Sequence, residues 1–160
     1  MFGKPFAFYL ARQRTPLLAI TIMFFVRFAL SVAGAPAVSG KVLSVTAVLL
    51  LALPYYALLA KREGLGFRHL YAFCFIQGLF SQVLVALAIA VGILTGTDNM
   101  YTIPEFYPFS NGSNPSFPID GKNWMHAGAH IVFAGAIFIP LGTWIVSSVL
   151  LFIARRVKSW

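Results

Sequence analysis

Four apolar runs of about 20 residues each constrain this chain more than any other feature of its sequence. Hydrocarbon offers no hydrogen-bond partners, so a run that crosses it must be helical to pair its own backbone groups. Charges, glycines and prolines bound the runs at 16–32, 42–60, 67–94 and 125–153. Only 10% of the 160 residues are charged, whereas about a quarter are charged in a soluble domain. We therefore predict an all-α integral membrane protein, with four transmembrane helices forming a single domain over 1–160.

Basic residues are distributed unevenly among the segments that flank these runs. Lys41 and Lys122 lie in the first and third connections, and nine others lie in the terminal segments and the second connection. Because cytoplasmic segments carry the excess of Lys and Arg, both termini are predicted to be cytoplasmic, in a bacterial inner membrane. Topology thus accounts for the net charge of +8, and we expect no nucleic-acid partner. The nine residues are Lys4, Arg12, Arg14, Lys61, Arg62, Arg68, Arg155, Arg156 and Lys158.

The third connection, 97–122, is long and rich in aromatic residues and prolines. Aromatic side chains with one polar edge are typical of the headgroup region and of protein interfaces. We expect this outer loop to fold over its own helices, to enter the interface, or to contact a partner through Phe106, Tyr107 and Phe109.

Two histidines, His126 and His130, are spaced i, i+4 at the start of the fourth run. This spacing places both imidazoles on one helix face, where they could share a transition metal. Asp120, and also Glu105, could complete a set of nitrogen and oxygen ligands suited to zinc or copper. Either histidine could instead ligate haem or chlorophyll, or both could simply hydrogen-bond loop carbonyls or Asp120 at a wet interface. His69 belongs to the opposite end of the third run and cannot share their ligand.

Arg27 is the one charged residue well inside a run, so it needs a partner or a hydrated path. Counting about 1.5 Å per residue puts it near the depth of Gln82, and Ser81 and Gln82 are its predicted hydrogen-bond partners, with Gln77 a shallower alternative. Arg27 and Gln82 are alternatively contacts for a lipid, a quinone or a neighbouring protein.

Prolines and glycines inside the runs predict local departures from straight, well-separated helices. Pro54 and Pro140 each remove a backbone N–H and favour a kink. Gly92 and Gly96 have the spacing that permits two membrane helices to approach closely.

These features favour a non-catalytic accessory subunit of a larger membrane complex, of respiratory or photosynthetic type. Its partners would be membrane lipids and other integral membrane subunits. Two alternatives stay open: a carrier of haem, chlorophyll or metal at His126 and His130, and a small oligomeric transporter lined by Arg27, Ser81 and Gln82. No nucleotide-binding loop or nucleophile motif points to an enzyme.

Overall fold

A computed structural model describes residues 1–35, 44–102 and 121–157, and these residues are helical with short connections. The helices are α1 (Phe6–Arg12), α2 (Arg14–Val32), α3 (Val45–Arg62), α4 (Phe67–Thr95), α5 (Trp124–Ala129) and α6 (Ile139–Arg156). A π-helix, His130–Phe138, joins α5 to α6, and we call the continuous segment Trp124–Arg156 the last helix.

Four of these helices are long and apolar enough to span a membrane: α2, α3, α4 and the last helix. Their bounds agree with the four predicted runs to within three residues at each end, so the prediction of four membrane-spanning helices is confirmed at that level. The local chemistry explains several of the helix ends. The side chain of Ser44 caps α3 by accepting from Ala47 N at 3.3 Å, and Gly96 ends α4 in the left-handed conformation.

The bundle is built around α4. This helix contacts α2, α3 and all three parts of the last helix, while α3 also contacts α2 and α6. Half of the most apolar window of α4 is buried, against 17% for α2 and 17% for the last helix. The central position of α4 means that polar side chains on this helix must find partners inside the bundle.

One end of the bundle, which we call the basic end, is held by contacts between segments far apart in sequence. Arg12 Nε donates to both carboxylate oxygens of Glu63 at 2.8 Å, and Tyr9 OH pairs with His69 Nδ1 at 2.7 Å. The C-terminal end of α6 joins them, because Lys61 Nζ donates to the Val157 carbonyl at 3.0 Å. The basic segments that the charge pattern grouped together therefore lie at the same end.

At the other end, residues 97–102 turn back along α4 as a short hook. Asn99 and Thr102 are buried, and the Asn99 amide donates to the Ala88 carbonyl at 2.9 Å, well before the end of α4. Ser31 on α2 accepts from Met100 N at 2.6 Å, which fixes the hook to a second helix. This hook end is where the predicted outer loop begins.

Gly92 has a role there that differs from the predicted helix–helix contact. A Cβ at this position would lie 2.9 Å from Thr102 Cγ2 and 3.1 Å from Asn99 Nδ2. Gly92 therefore makes room for the hook, whereas Gly96 provides the left-handed turn, at φ 71°, that starts it.

Candidate functional site

The candidate site lies where α4 and the last helix approach each other closely. Two glycines make this approach possible. A Cβ on Gly135 would lie 2.9 Å from Gln82 Cβ, and a Cβ on Gly78 would lie 3.1 Å from Pro140 and Ile139 side chains. Because neither glycine has a side chain, the two helices meet at a distance at which short polar side chains can reach across.

The π-helix explains how the last helix accommodates Pro140. Proline has no backbone N–H to donate and its ring crowds the preceding turn, so a regular α-helix would be disrupted before it. The structure instead widens the preceding nine residues, with Ile139 N–H donating to Ala134 O, five residues back. Such widened turns recur at functional sites. Here the widened segment begins at His130 and carries Gly135 against Gln82.

His126 is fixed in the first turn of the last helix. The Asn123 side chain caps this helix by accepting from His126 N at 2.7 Å. The ring nitrogen Nδ1 of His126 lies 2.9 Å from the carbonyl oxygen of Gly121. A carbonyl only accepts hydrogen bonds, so His126 must carry its proton on Nδ1, which leaves a lone pair on Nε2 when the ring is neutral.

His130 is fixed in the same way by a different oxygen. Its Nδ1 lies 2.6 Å from Oε1 of Gln82, which is only 8% exposed. The orientation of the Gln82 amide follows from its other end, since Nε2 donates to Ser81 Oγ at 3.4 Å and that hydroxyl donates to the Gly78 carbonyl. With an oxygen facing it, His130 also carries its proton on Nδ1 and has a lone pair on Nε2 when neutral.

The two Nε2 atoms therefore converge. They lie 3.1 Å apart, with ring centroids separated by 4.8 Å and planes inclined by 57°. Two lone pairs at this distance repel each other unless a positive centre lies between them. A proton shared by the two rings would serve, and so would a metal ion bound by both. Metal-bound histidines commonly donate the other ring N–H to a carbonyl or carboxylate, as both rings do here to oxygen acceptors.

Gln82, which binds His130, lies within the length of α4 that is apolar enough to span a membrane. At about 1.5 Å per residue, Gln82 is about 22 Å along α4 from Phe67 at the basic end. Polar and ionisable groups at such a depth are costly and are functional candidates by default. His69, paired with Tyr9 at the basic end, is remote from the pair, as its position in the sequence predicted.

The two side chains predicted to partner Arg27 make hydrogen bonds to other groups in the structure. Gln82 binds His130 and Ser81, and Ser81 Oγ donates to the Gly78 carbonyl, so the pairing of Arg27 with them stays a prediction. The Arg27 guanidinium lies 5.6 Å from the ring centroid of Tyr101 in the hook. Burial raises the pKa of Tyr101, and the Arg27 charge opposes that rise.

Gln82 and Gln77 are both buried within the bundle. Gln77 donates to the Leu49 carbonyl at 3.1 Å. Pro54 removes a donor from this stretch of α3, since the N–H that would serve the Leu50 carbonyl is missing. Gln77 thus links α4 to the α3 backbone at the carbonyl one residue before that of Leu50.

Several predicted site residues lie outside the residues that the structure describes. They are Asp120 and Glu105, proposed as metal ligands, and Phe106, Tyr107 and Phe109, proposed as contacts. Across 1–35, 44–102 and 121–157, no three His, Cys, Asp or Glu side chains are grouped closely enough to hold a metal ion by themselves. Within those ranges, His126 and His130 bring two imidazole nitrogens together.

A glycine repeat in the sequence is a signal for this close approach. Gly128, Gly135 and Gly142 recur every seven residues in the fourth run. Of the three, Gly135 alone would bring a Cβ within 4 Å of other atoms of the described residues. The repeat indicates that this helix packs closely, whereas the tertiary packing determines which of the three glycines lies at the contact.

Comparison with known proteins adds no relative, because no family model, curated protein or solved structure matches this chain. The residues and their geometry are therefore the basis for assigning a function.

Proposed function

We propose that this chain is a small multi-pass membrane protein that holds a transition-metal ion between His126 and His130. The observation that carries the proposal is the convergence of the two Nε2 atoms at 3.1 Å, with each Nδ1 directed to an oxygen acceptor. Both tautomers are thereby set to present lone pairs to a common point. The hydrogen bonds at Nδ1 thus orient both imidazole rings before an ion binds.

The spacing of the nitrogens fits one small ion. For metal–nitrogen bonds of about 2.0–2.1 Å, a separation of 3.1 Å corresponds to an angle at the metal of about 98°. This value lies between the ~90° of octahedral and the ~109° of tetrahedral coordination. Imidazole ligands suit zinc, copper, iron and nickel. Two protein ligands leave positions for water, for a transferred group, or for Asp120, the third ligand predicted from sequence.

A haem or chlorophyll is less compatible with this arrangement. A tetrapyrrole bound through one imidazole needs an open face several ångströms wide in front of that Nε2. Here the Nε2 of each ring faces the other ring at contact distance. A shared ion is therefore preferred over the pigment and haem alternatives. The transporter alternative also loses support, because Ser81 and Gln82 are engaged in buried hydrogen bonds rather than lining a path.

The orientation that we propose places the basic end in the cytoplasm of a bacterium, by the excess of Lys and Arg there. The His pair then belongs to the outer half of the membrane, nearer the periplasm. An ion from the periplasm would enter beside the start of the last helix, past Gly121 and Asn123.

A role as a non-catalytic accessory subunit is our second proposal, and it is compatible with the first. The observation that favours it is the low burial of α2 and the last helix, 17% of each apolar window. Such faces need either lipid or other integral membrane subunits against them. Mass spectrometry of chains that copurify in mild detergent tests this role, and purification of the chain alone from its native membrane would contradict it.

The metal proposal is tested by purifying the protein in mild detergent and titrating it with Co²⁺ and Cu²⁺. Tetrahedral Co²⁺ gives visible absorption, and Cu²⁺ bound by two imidazoles gives nitrogen hyperfine splitting in electron paramagnetic resonance. We expect one ion per chain, and loss of both signals in the variants His126→Ala and His130→Ala. His69→Ala is the matched control, since it removes the remaining histidine at the opposite end and should bind as the wild type does.

Two results would contradict the proposal. The first is failure of the folded wild-type protein to bind either ion at stoichiometric levels. The second is binding that persists in the double variant His126→Ala/His130→Ala, or that is lost equally in His69→Ala. In the first case the shared proton would be the remaining explanation for the Nε2 contact. Asp120→Asn adds a test of the predicted third ligand, with weaker binding expected.

A further inference from the structure

A cleft at the basic end has the composition of a lipid site. It lies in the elbow between α1 and α2 and has a volume of about 640 Å³. Its walls are five apolar side chains and one arginine: Ala7, Leu10, Ala11, Arg14, Leu17 and Leu18. Ala7 and Ala11 lie one helical turn apart on α1, and their small side chains create the concavity.

Arg14 is the charged group of this cleft. It is exposed and is the first residue of α2, so it lies at the basic-end start of a helix that is long and apolar enough to span a membrane. The ion pairs within the described part of the chain are Arg12–Glu63 and Lys122–Asp98, and neither engages Arg14. Its exposed guanidinium carries five N–H donors in a fork that matches phosphate oxygens.

The apolar part of the cleft is open to the surface of the bundle. Leu18 is 60% exposed one turn further along α2, and Leu10 is 37% exposed on α1. A concave apolar surface that continues from an arginine into the membrane matches an acyl chain attached to a phosphate. The charge around the cleft is also positive, because the basic end carries eight described Lys and Arg residues and one acidic residue, Glu63.

From this arrangement we infer that the α1–α2 cleft binds one anionic glycerophospholipid, with an acyl chain along Ala11 and Leu18 and its phosphate on Arg14. The negative charge of this lipid distinguishes it from the surrounding lipid. A zwitterionic lipid has the same acyl chains but no net charge to attract Arg14. A basic residue close to an anionic lipid surface contributes about 1 kcal/mol. The expected preference for the anionic lipid attributable to Arg14 is therefore about fivefold.

The test uses the full chain in nanodiscs made from dioleoyl phosphatidylglycerol and dioleoyl phosphatidylcholine in equal amounts. After transfer to detergent, native mass spectrometry measures the ratio of the two lipids retained per chain. We expect Arg14→Gln to lower the phosphatidylglycerol excess about fivefold. Ala11→Leu should lower retention of both lipids, because it fills the cleft while leaving the charge.

Arg62→Gln is the matched control, since it removes an exposed cation of the same end outside the cleft. It should leave retention within a factor of two of the wild type. The inference is overturned if Arg62→Gln lowers retention as much as Arg14→Gln does, which would mean diffuse attraction to the whole basic end. It is equally overturned if Arg14→Gln and Ala11→Leu both retain lipid as the wild type does.

Discussion

Adding one methyl group at Gly135 is the sharpest perturbation of the His pair that leaves every polar residue in place. The new Cβ would lie 2.9 Å from Gln82 Cβ and 3.2 Å from the His130 carbonyl oxygen. Carbon atoms in contact are normally about 3.5–4.0 Å apart, so α4 and the π-helix must separate by about 0.6–1.1 Å. Neither clashing atom lies at the end of a flexible side chain, so a rotamer change cannot absorb the overlap.

Two consequences follow from this separation. Overpacking at a close helix contact costs about 1–3 kcal/mol of folding free energy. A separation of this size along the Nδ1–Oε1 contact between His130 and Gln82 would lengthen it from 2.6 Å to about 3.2–3.7 Å, which is at or beyond the upper end of the normal range of about 2.7–3.2 Å. Loss of a group that orients a metal-bound histidine typically lowers affinity about 10–100-fold. We therefore expect Gly135→Ala to unfold more easily and to bind Co²⁺ about 10–100-fold more weakly.

Gly142→Ala is the control for this experiment, because Gly142 lies in the same helix and has space for an added Cβ. Among the described residues, no atom lies within 4 Å of a Cβ at that position. Exchange of glycine for alanine in an open helix position is stabilising by up to about 1 kcal/mol. Unfolding in detergent and Co²⁺ titration would be measured for both variants. If Gly135→Ala matches Gly142→Ala in both assays, the close approach does not support the His pair and the reasoning is refuted.

Three further predictions concern other contacts. Gly92→Ala should destabilise the protein by about 1–3 kcal/mol in detergent unfolding, because the added Cβ would overlap Thr102. The hook should also become more sensitive to protease, and unchanged cleavage would contradict this. Gln77→Leu should cost about 0.6–1.7 kcal/mol, since the hydrogen bond from α4 to the Leu49 carbonyl is lost, and a neutral result would mean that the hydrogen bond is dispensable. Arg12→Gln should cost less than about 1 kcal/mol, because the ion pair with Glu63 is partly exposed; a larger loss would indicate a wider role in holding α1.

The membrane-spanning helices could be predicted because hydropathy is a local property of the chain. Each run is long enough to cross the apolar layer, and its bounding charges and breakers lie next to it in sequence. The short helix α1 was missed, since its seven residues are too few to give a clear pattern and its position depends on Arg12 meeting Glu63. The hook was missed for a similar reason. Its hydrogen bond from the Asn99 amide to the Ala88 carbonyl forms only when the chain folds back along α4.

For the candidate site, the sequence by itself determined the i, i+4 placement of His126 and His130 on one helix face, because helical spacing alone fixes it. It could not determine which oxygen each ring would face, and it assigned Gln82 to Arg27 because both were counted to similar depths. Depth along the helix axis is readable from residue number, but the direction in which a side chain points across the bundle is not. The tertiary structure decided that direction through Gly135 and Gly78, which let α4 approach the last helix until Gln82 met His130. It thereby set both tautomers and turned two histidines into a converging pair, since a hydrogen bond of 2.6 Å forms only where packing brings the two helices that close.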